Sequence, residues 1–187
     1  MPYTGGMFFS RRIEHCQVCG TRVEYRIPAD DNRERAVCPA CQHIHYVNPL
    51  NVVGTLPIWE DKVLLCKRNI EPRKGLWTLP AGFMELGETT EEGAVRETDE
   101  EAGARIQVLG LYSVLNVVTA GQVHFFYRAK LLDTDFNPGP ETMEARLFTQ
   151  AEIPWDELAF RTVRMTLQNY FDDRREGQFG IHCADIR

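Results

Sequence analysis

The 187-residue chain contains no run of about 18 apolar residues, the length a membrane-spanning helix needs, so no transmembrane segment is expected. Residues 1–15 hold Phe8, Phe9, Arg11 and Arg12 but no apolar stretch of signal-peptide length. They read as an irregular leader, and a cytoplasmic location is the expectation. Internal repeats and low-complexity tracts are missing too. Basic charge is scarce: 21 Lys and Arg stand against 27 Asp and Glu, a formal net charge of −6. What remains, 43% hydrophobic and 26% charged residues, is the make-up of an ordinary globular domain with a small appendage.

The negative charge is concentrated in one place. Between Gly82 and Gly103 lie Glu85, Glu88, Glu91, Glu92, Glu97, Asp99, Glu100 and Glu101, with Arg96 as the single cation. The rest of the chain is therefore close to neutral. Acidic runs are usually solvated helix faces. Here one cation among eight acids makes a salt-bridged surface helix a poor explanation. Thr89 or Thr90 can cap a helix that Gly103 stops. At about 100° per residue, Glu97 and Glu101 then share a face and Glu100 flanks it. Carboxylates so crowded call for cations, and hard Mg²⁺ or Mn²⁺ prefers such oxygens and bridges to phosphates. Arg96 is placed to orient a neighbouring glutamate, Glu88 being the candidate, and Gly82 permits a close backbone approach.

Six cysteines are present, four of them as Cys16-x-x-Cys19 and Cys38-x-x-Cys41. This spacing in a chain with no sign of secretion fits a structural four-thiolate Zn²⁺ site rather than disulfides. His43 and His45 follow the last cysteine and are expected on the surface. Residues 16–46 have too little core to fold alone, so bound metal would supply the missing stability. In this unit Arg22, Arg26, Arg33 and Arg35 are matched by Glu24, Asp30, Asp31 and Glu34. No basic patch emerges, nucleic acid is not expected as a partner, and the unit is expected to support folding or homodimerisation.

After Asn48-Pro49, residues 47–187 read as an α/β domain. Val52–Trp59 and Lys62–Cys66 look like strands turning at Glu60-Asp61. Further strands are expected over 106–118, 122–132 and 145–149. In the second of these Val123, Phe125, Tyr127, Ala129 and Leu131 alternate as one buried face. Val163, Leu167, Tyr170 and Phe171 recur at helical spacing near the C-terminus.

The segment from Gly82 through Glu88 to Arg96-Glu97-Thr98-Asp99-Glu100-Glu101-Ala102-Gly103-Ala104 resembles the Nudix box, G-x5-E-x7-R-E-U-x-E-E-x-G-U. All its charged and glycine positions match. Thr98 and Ala104 depart from it, standing where the family usually has bulky aliphatic residues. The resemblance implies an α/β/α sandwich with a mixed sheet, here behind a small zinc ribbon. It also implies attack of a metal-activated water on a diphosphate, with Glu97, Glu100 and Glu101 as catalytic metal ligands beside Arg96 and Glu88. Zinc-ribbon relatives add a glutamate from a later loop. Glu141 is the choice for that ligand, while Glu144 serves a neighbour such as Arg146 or the substrate. Trp77, in the lead-in to the box, is expected to be structural.

The four-cysteine module resembles that of NADH pyrophosphatases, but their downstream Ser-Gln-Pro-Trp-Pro-Phe-Pro is replaced by residues 111–120 of a different sequence. Downstream residues, from Gln122 to Leu131 and from Glu152 to Phe160, look more like ADP-ribose/FAD diphosphatases. The resemblance thus implies a small-molecule nucleotide substrate, ADP-ribose or FAD, giving AMP and a phosphorylated product. The alternatives are NADH or NAD-cap pyrophosphatase activity, or a binding protein without catalysis. Candidate substrate contacts are Arg68 for phosphate, His124 and Phe126 on the strand's outer face for base or ribose, Glu144, and Phe160 stacked on adenine.

Overall fold

The computed structural model describes residues 12–187. Residues 1–11 of the expected leader lie outside the described residues. The chain divides after Pro49 into two compact units.

In the first unit, Cys16–Gly20 and Cys38–Gln42 each close a knuckle: the N–H groups of Gly20 and Gln42 donate to the carbonyls of Cys16 and Cys38. Three short antiparallel strands, β1 (Glu24–Arg26), β2 (Arg35–Val37) and β3 (Ile44–His45), support them. The four Sγ atoms lie within 4.8 Å of one another, with Cys16–Cys41 at 3.6 Å and Cys19–Cys38 at 3.4 Å. About 3.8 Å is the edge of a tetrahedron of thiolates around zinc, far longer than a disulfide. His45 is buried at 5% exposure, against the expectation of a surface residue, because its place on β3 turns it inward; His43 is exposed.

The second unit is built on a mixed sheet. Its strands are β4 (Leu50–Trp59), β5 (Lys62–Arg68), β6 (Trp77–Thr78), β7 (Ala81–Phe83), β8 (Ile106–Val117), β9 (Gln122–Leu131), β10 (Thr142–Phe148) and β11 (His182–Ile186). The main path runs β10-β5-β4-β9-β8-β11, with β6 pairing β5 and β7 pairing β4. The pairs β4–β9 and β8–β11 are parallel and the other pairs on this path antiparallel. Two helices cover it: α1 (Thr90–Ala102) and α2 (Arg161–Glu176).

Alternation along the strands separates two cores. Leu56, Val63, Leu65 and Phe126 pack with Val163, Leu167, Tyr170 and Phe171 of α2. Val53, Leu64, Cys66, Tyr127 and Leu131 pack with Ala94, Ala102 and Ala104 of the α1 region. Being central and covered on both sides, β9 buries both of its faces. This overturns the reading of a single buried face. Trp77 is 3% exposed within the α2-side core, edge-on to Phe148.

Candidate functional site

Thr89 caps α1 through a capping box with Glu92, and Gly103 ends the helix in the left-handed region. The inward face consists of Gly93, Ala94, Thr98, Glu101 and Ala102. An acid among small residues on a buried face is costly to ionise. Glu101 is 8% exposed, and its Oε2 accepts a hydrogen bond from the Ala81 backbone N–H at 3.0 Å. Burial pushes its carboxyl up to about 8, helped by the charges of Glu97 and Glu141 and opposed by Ala81 N–H and Arg68. Glu97 is also raised, again chiefly by burial. Its carboxylate lies so close over Gly82 of β7 that a Cβ there would overlap it. The close approach that glycine permits is thus to the Glu97 side chain.

Arg96 organises the outer carboxylates. Its Nε and Nη2 grip Glu88 side-on at 2.9 and 2.8 Å, and Nη1 donates to Glu97 at 2.8 Å and Glu100 at 3.0 Å. Nη2 also reaches the Phe83 carbonyl at 3.2 Å. Glu88 further accepts the Glu85 N–H at 2.7 Å, and Arg96 holds its carboxyl down to about 2. One cation therefore ties the loop before α1 to the helix, and Glu88 is the glutamate it orients.

Glu141 reaches this neighbourhood through the loop after β9. Asn137 N–H donates to the Ala102 carbonyl at 3.0 Å, capping the end of α1. Gly139 packs against the Glu100 carbonyl so tightly that a Cβ would overlap it. Asn69 then clamps the following turn, its N–H on the Glu141 carbonyl at 2.7 Å and its side chain on the Pro140 carbonyl at 2.9 Å. The Glu141 charge is felt by both Glu97 and Glu101. Glu144, by contrast, is half-exposed and faces Arg146 at 3.6 Å.

Thr98 is fully buried, and its hydroxyl donates to the Ala94 carbonyl at 2.7 Å and meets the Thr55 hydroxyl at 2.6 Å. The departure at Thr98 is thus answered by a polar partner on β4, which the sequence pattern alone does not reveal. Ala104 is buried against Leu64, Cys66 and Leu131.

Among the candidate substrate contacts, Phe126 is corrected: at 1% exposure it belongs to the α2-side core, since β9 has no outer face there. His124 is likewise buried, at 9%, with Nε2 on Gln122 at 2.8 Å and Nδ1 without a partner. Burial holds its imidazole down to about 4, so it is neutral near pH 7. Arg68 is 9% exposed, with Nε donating to the Pro72 carbonyl at 3.0 Å. Its guanidinium lies 5.2 Å from the centroid of Phe160. The ring expected to stack on adenine therefore stacks on an arginine.

The donor sets differ in readiness for metal. The cysteines form a converged group, and among the described residues they are the only set of three or more potential ligand atoms so close together. The glutamates are apposed rather than converged, with Glu97 and Glu100 engaged by Arg96. Buried Glu101 and partly buried Glu97, both raised chiefly by desolvation, nonetheless suit a divalent cation, which would stabilise their ionised form.

Comparison with known proteins agrees with this geometry. A family profile described as "Nudix N-terminal" matches residues 14–47, and one described as "NUDIX domain" matches residues 49–167. An ADP-ribose pyrophosphatase of Methanocaldococcus jannaschii is 35% identical over 119 residues, 62% of this chain and 69% of that protein. A NAD-capped RNA hydrolase NudC of Photobacterium profundum is 29% identical over 142 residues, 74% of this chain but only 51% of its own length. The crystal structure of a NUDIX hydrolase from Nitrosomonas europaea superposes with a TM-score of 0.90 at 50% identity, covering 93% of this chain and 99% of that one. No helix among the described residues is long and apolar enough to cross a membrane. With its ribbon, its mixed sheet between two helices and its box on α1, the chain belongs to the Nudix family and is a Nudix hydrolase.

Proposed function

We propose that this hydrolase splits the diphosphate bond of ADP-ribose or FAD, giving AMP and the phosphorylated remainder. The observation that carries the reading is a pair of carboxylates set against the β7 backbone, Glu101 buried and Glu97 partly buried, with Glu141 alongside. Together with Glu100 they would hold Mg²⁺ or Mn²⁺. A divalent metal so bound lowers the pKa of a water and neutralises charge gathering on the phosphoryl oxygens.

The chain's own groups do the rest. One glutamate of the set takes the proton as the water's oxygen bonds to phosphorus, and the bridging oxygen leaves with the other phosphate. Arg96 keeps Glu88 and Glu97 in place, so that ligand directions are set before substrate arrives. Arg68, within electrostatic reach of Glu101, supplies a positive charge suited to phosphoryl oxygens.

The alternative, hydrolysis of NADH or of an NAD cap, draws on the names of several relatives. Against it, residues 111–120 continue β8 into a single 3₁₀ turn instead of supplying the proline-rich aromatic segment of that group. Incubation with Mg²⁺ or Mn²⁺ and a panel of ADP-ribose, FAD, NADH, diadenosine polyphosphates and nucleoside triphosphates decides between them. AMP from ADP-ribose or FAD at the highest kcat/KM is expected. A clear preference for NADH establishes the alternative, and cleavage of none of them refutes the reading.

A further inference from the structure

Arg68 is an unusual cation. It is nine-tenths buried, yet among the described residues no carboxylate lies within 4.0 Å of its guanidinium, and of the guanidinium donors only Nε has a protein acceptor. A buried charge without a counter-charge is expensive unless a ligand provides one. Glu101 lies within electrostatic reach but makes no ion pair with it.

Several contacts put Phe160 beside this guanidinium. Arg68 closes β5, with its N–H on the Leu76 carbonyl and its carbonyl receiving Gly75 N–H. The pairing of Lys67 with Trp77 ties β5 to β6. Leu158 bridges Trp77, and Ala159 N–H donates to the Trp77 carbonyl at 2.8 Å. The chain therefore arrives at Phe160, the residue preceding α2, already fixed to the strand next to Arg68. No side-chain hydrogen bond caps α2 there. A serine, threonine or aspartate would cap the helix better, so a phenylalanine here is not selected by the helix itself.

We propose that Phe160 is a positioning residue for Arg68: its ring, with the Pro72 carbonyl, orients the guanidinium toward the substrate's phosphoryl oxygens without neutralising it. A carboxylate could hold the same arginine, but it would consume the charge and the paired donors. An aromatic face holds the cation through its quadrupole and leaves the Nη groups free. The inference rests on the diphosphatase reading above, and it replaces adenine stacking as the role of Phe160.

The test combines turnover of ADP-ribose with a measurement that needs no turnover. Phe160→Leu should lower kcat/KM about tenfold and Phe160→Tyr less than about twofold, within the range of a desolvated cation–π contact. In an Arg68→Met background, which removes the cation, Phe160→Leu should cost less than about twofold more, because the two act as one unit. An equal tenfold loss in that background overturns the proposal, since Phe160 would then act independently of Arg68. In parallel, the Arg68 Nε–Hε resonance, assigned by its loss in Arg68→Lys, should carry a ring-current shift that Phe160→Leu abolishes and Phe160→Tyr keeps. Titration of the magnesium-loaded protein with inorganic pyrophosphate should show Phe160→Leu and Arg68→Met weakening binding without adding to one another. If the wild type cleaves neither ADP-ribose nor FAD, the diphosphatase reading falls while these two measurements still decide the role of Phe160. Should Phe160→Leu fail to fold, Phe160→Met takes its place, with the same outcomes.

Discussion

Replacing Thr98 by valine tests how α1 is held against the sheet. The Thr98 hydroxyl has one proton, which goes to the Ala94 carbonyl at 2.7 Å. In the 2.6 Å contact between the two hydroxyls, Thr55 must therefore be the donor. Both side chains are fully buried. Thr98→Val leaves the Thr55 hydroxyl with no acceptor in a dry interior, a loss of about 2 kcal/mol. Thr55→Val is milder, because Thr98 keeps its bond to Ala94 and loses only a received one, about 1 kcal/mol or less.

The double variant removes both hydroxyls and leaves two methyl groups in nearly the same volume. It should be more stable than Thr98→Val alone, by about 1 kcal/mol. Urea unfolding of the zinc-loaded full chain, followed by tryptophan fluorescence, measures all four corners of the cycle. In thermal scans the Thr98→Val loss corresponds to roughly 4–8 °C for a domain of this size. If the two single losses simply add in the double variant, the hydroxyl pair is not the coupled unit described. Because Glu97 and Glu101 flank Thr98 on the same helix, turnover in Thr98→Val should fall further than stability explains and recover in part in the double variant.

Glu101→Gln should keep the fold, since the amide oxygen can still accept Ala81 N–H, yet lower turnover by more than about a hundredfold through loss of the charge that holds metal; near-normal turnover would remove Glu101 from the metal site. Gly82→Ala pushes on the Glu97 carboxylate and should depress activity with little loss of stability, whereas Gly139→Ala meets the Glu100 backbone and should destabilise the end of α1, a contrast that activity and melting curves read directly. His124 has a folded-state pKa of about 4 against 6.5 for an unperturbed imidazole. As pH falls from 6.5 to 4 the unfolded chain takes up a proton that the folded one refuses, so this residue should withdraw roughly 3 kcal/mol of stability over that window and none above it. His124→Gln should flatten the acid limb of stability against pH. Chelating zinc should expose residues 16–46 to proteolysis without changing kcat on the magnesium-loaded enzyme.

What could be read from the sequence was what depends on neighbours a few positions away. The helix of the box, its Thr89 cap and Gly103 stop, and the β4–β5 hairpin at Glu60-Asp61 all follow from short-range pattern, and the structure has them within a residue or two. Strand β11 escaped notice because its parallel place beside β8 is a tertiary contact with no local signal in His182–Ile186. The error on β9 has the same root. Its alternation is present, but whether the second face of a strand is covered depends on α2, some forty residues later, which makes Phe126 core rather than a ligand contact.

The candidate site divides along the same line. Glu88, Arg96, Glu97, Glu100 and Glu101 lie within fourteen residues, so helical spacing brings the last four together and the short loop before α1 returns Glu88 to Arg96. Arg68, Glu141 and Phe160 come from the end of β5, the loop before β10 and the entry to α2. Residue type could nominate them, but only the folded chain shows what each one faces. Thr98 marks the boundary between the two groups. A threonine where the box prefers a bulky aliphatic is a local anomaly, and a buried hydroxyl must find a partner. Position 98 supplies one such partner from its own helix, the Ala94 carbonyl four residues back, so the second, Thr55, is a contact that only the sheet brings.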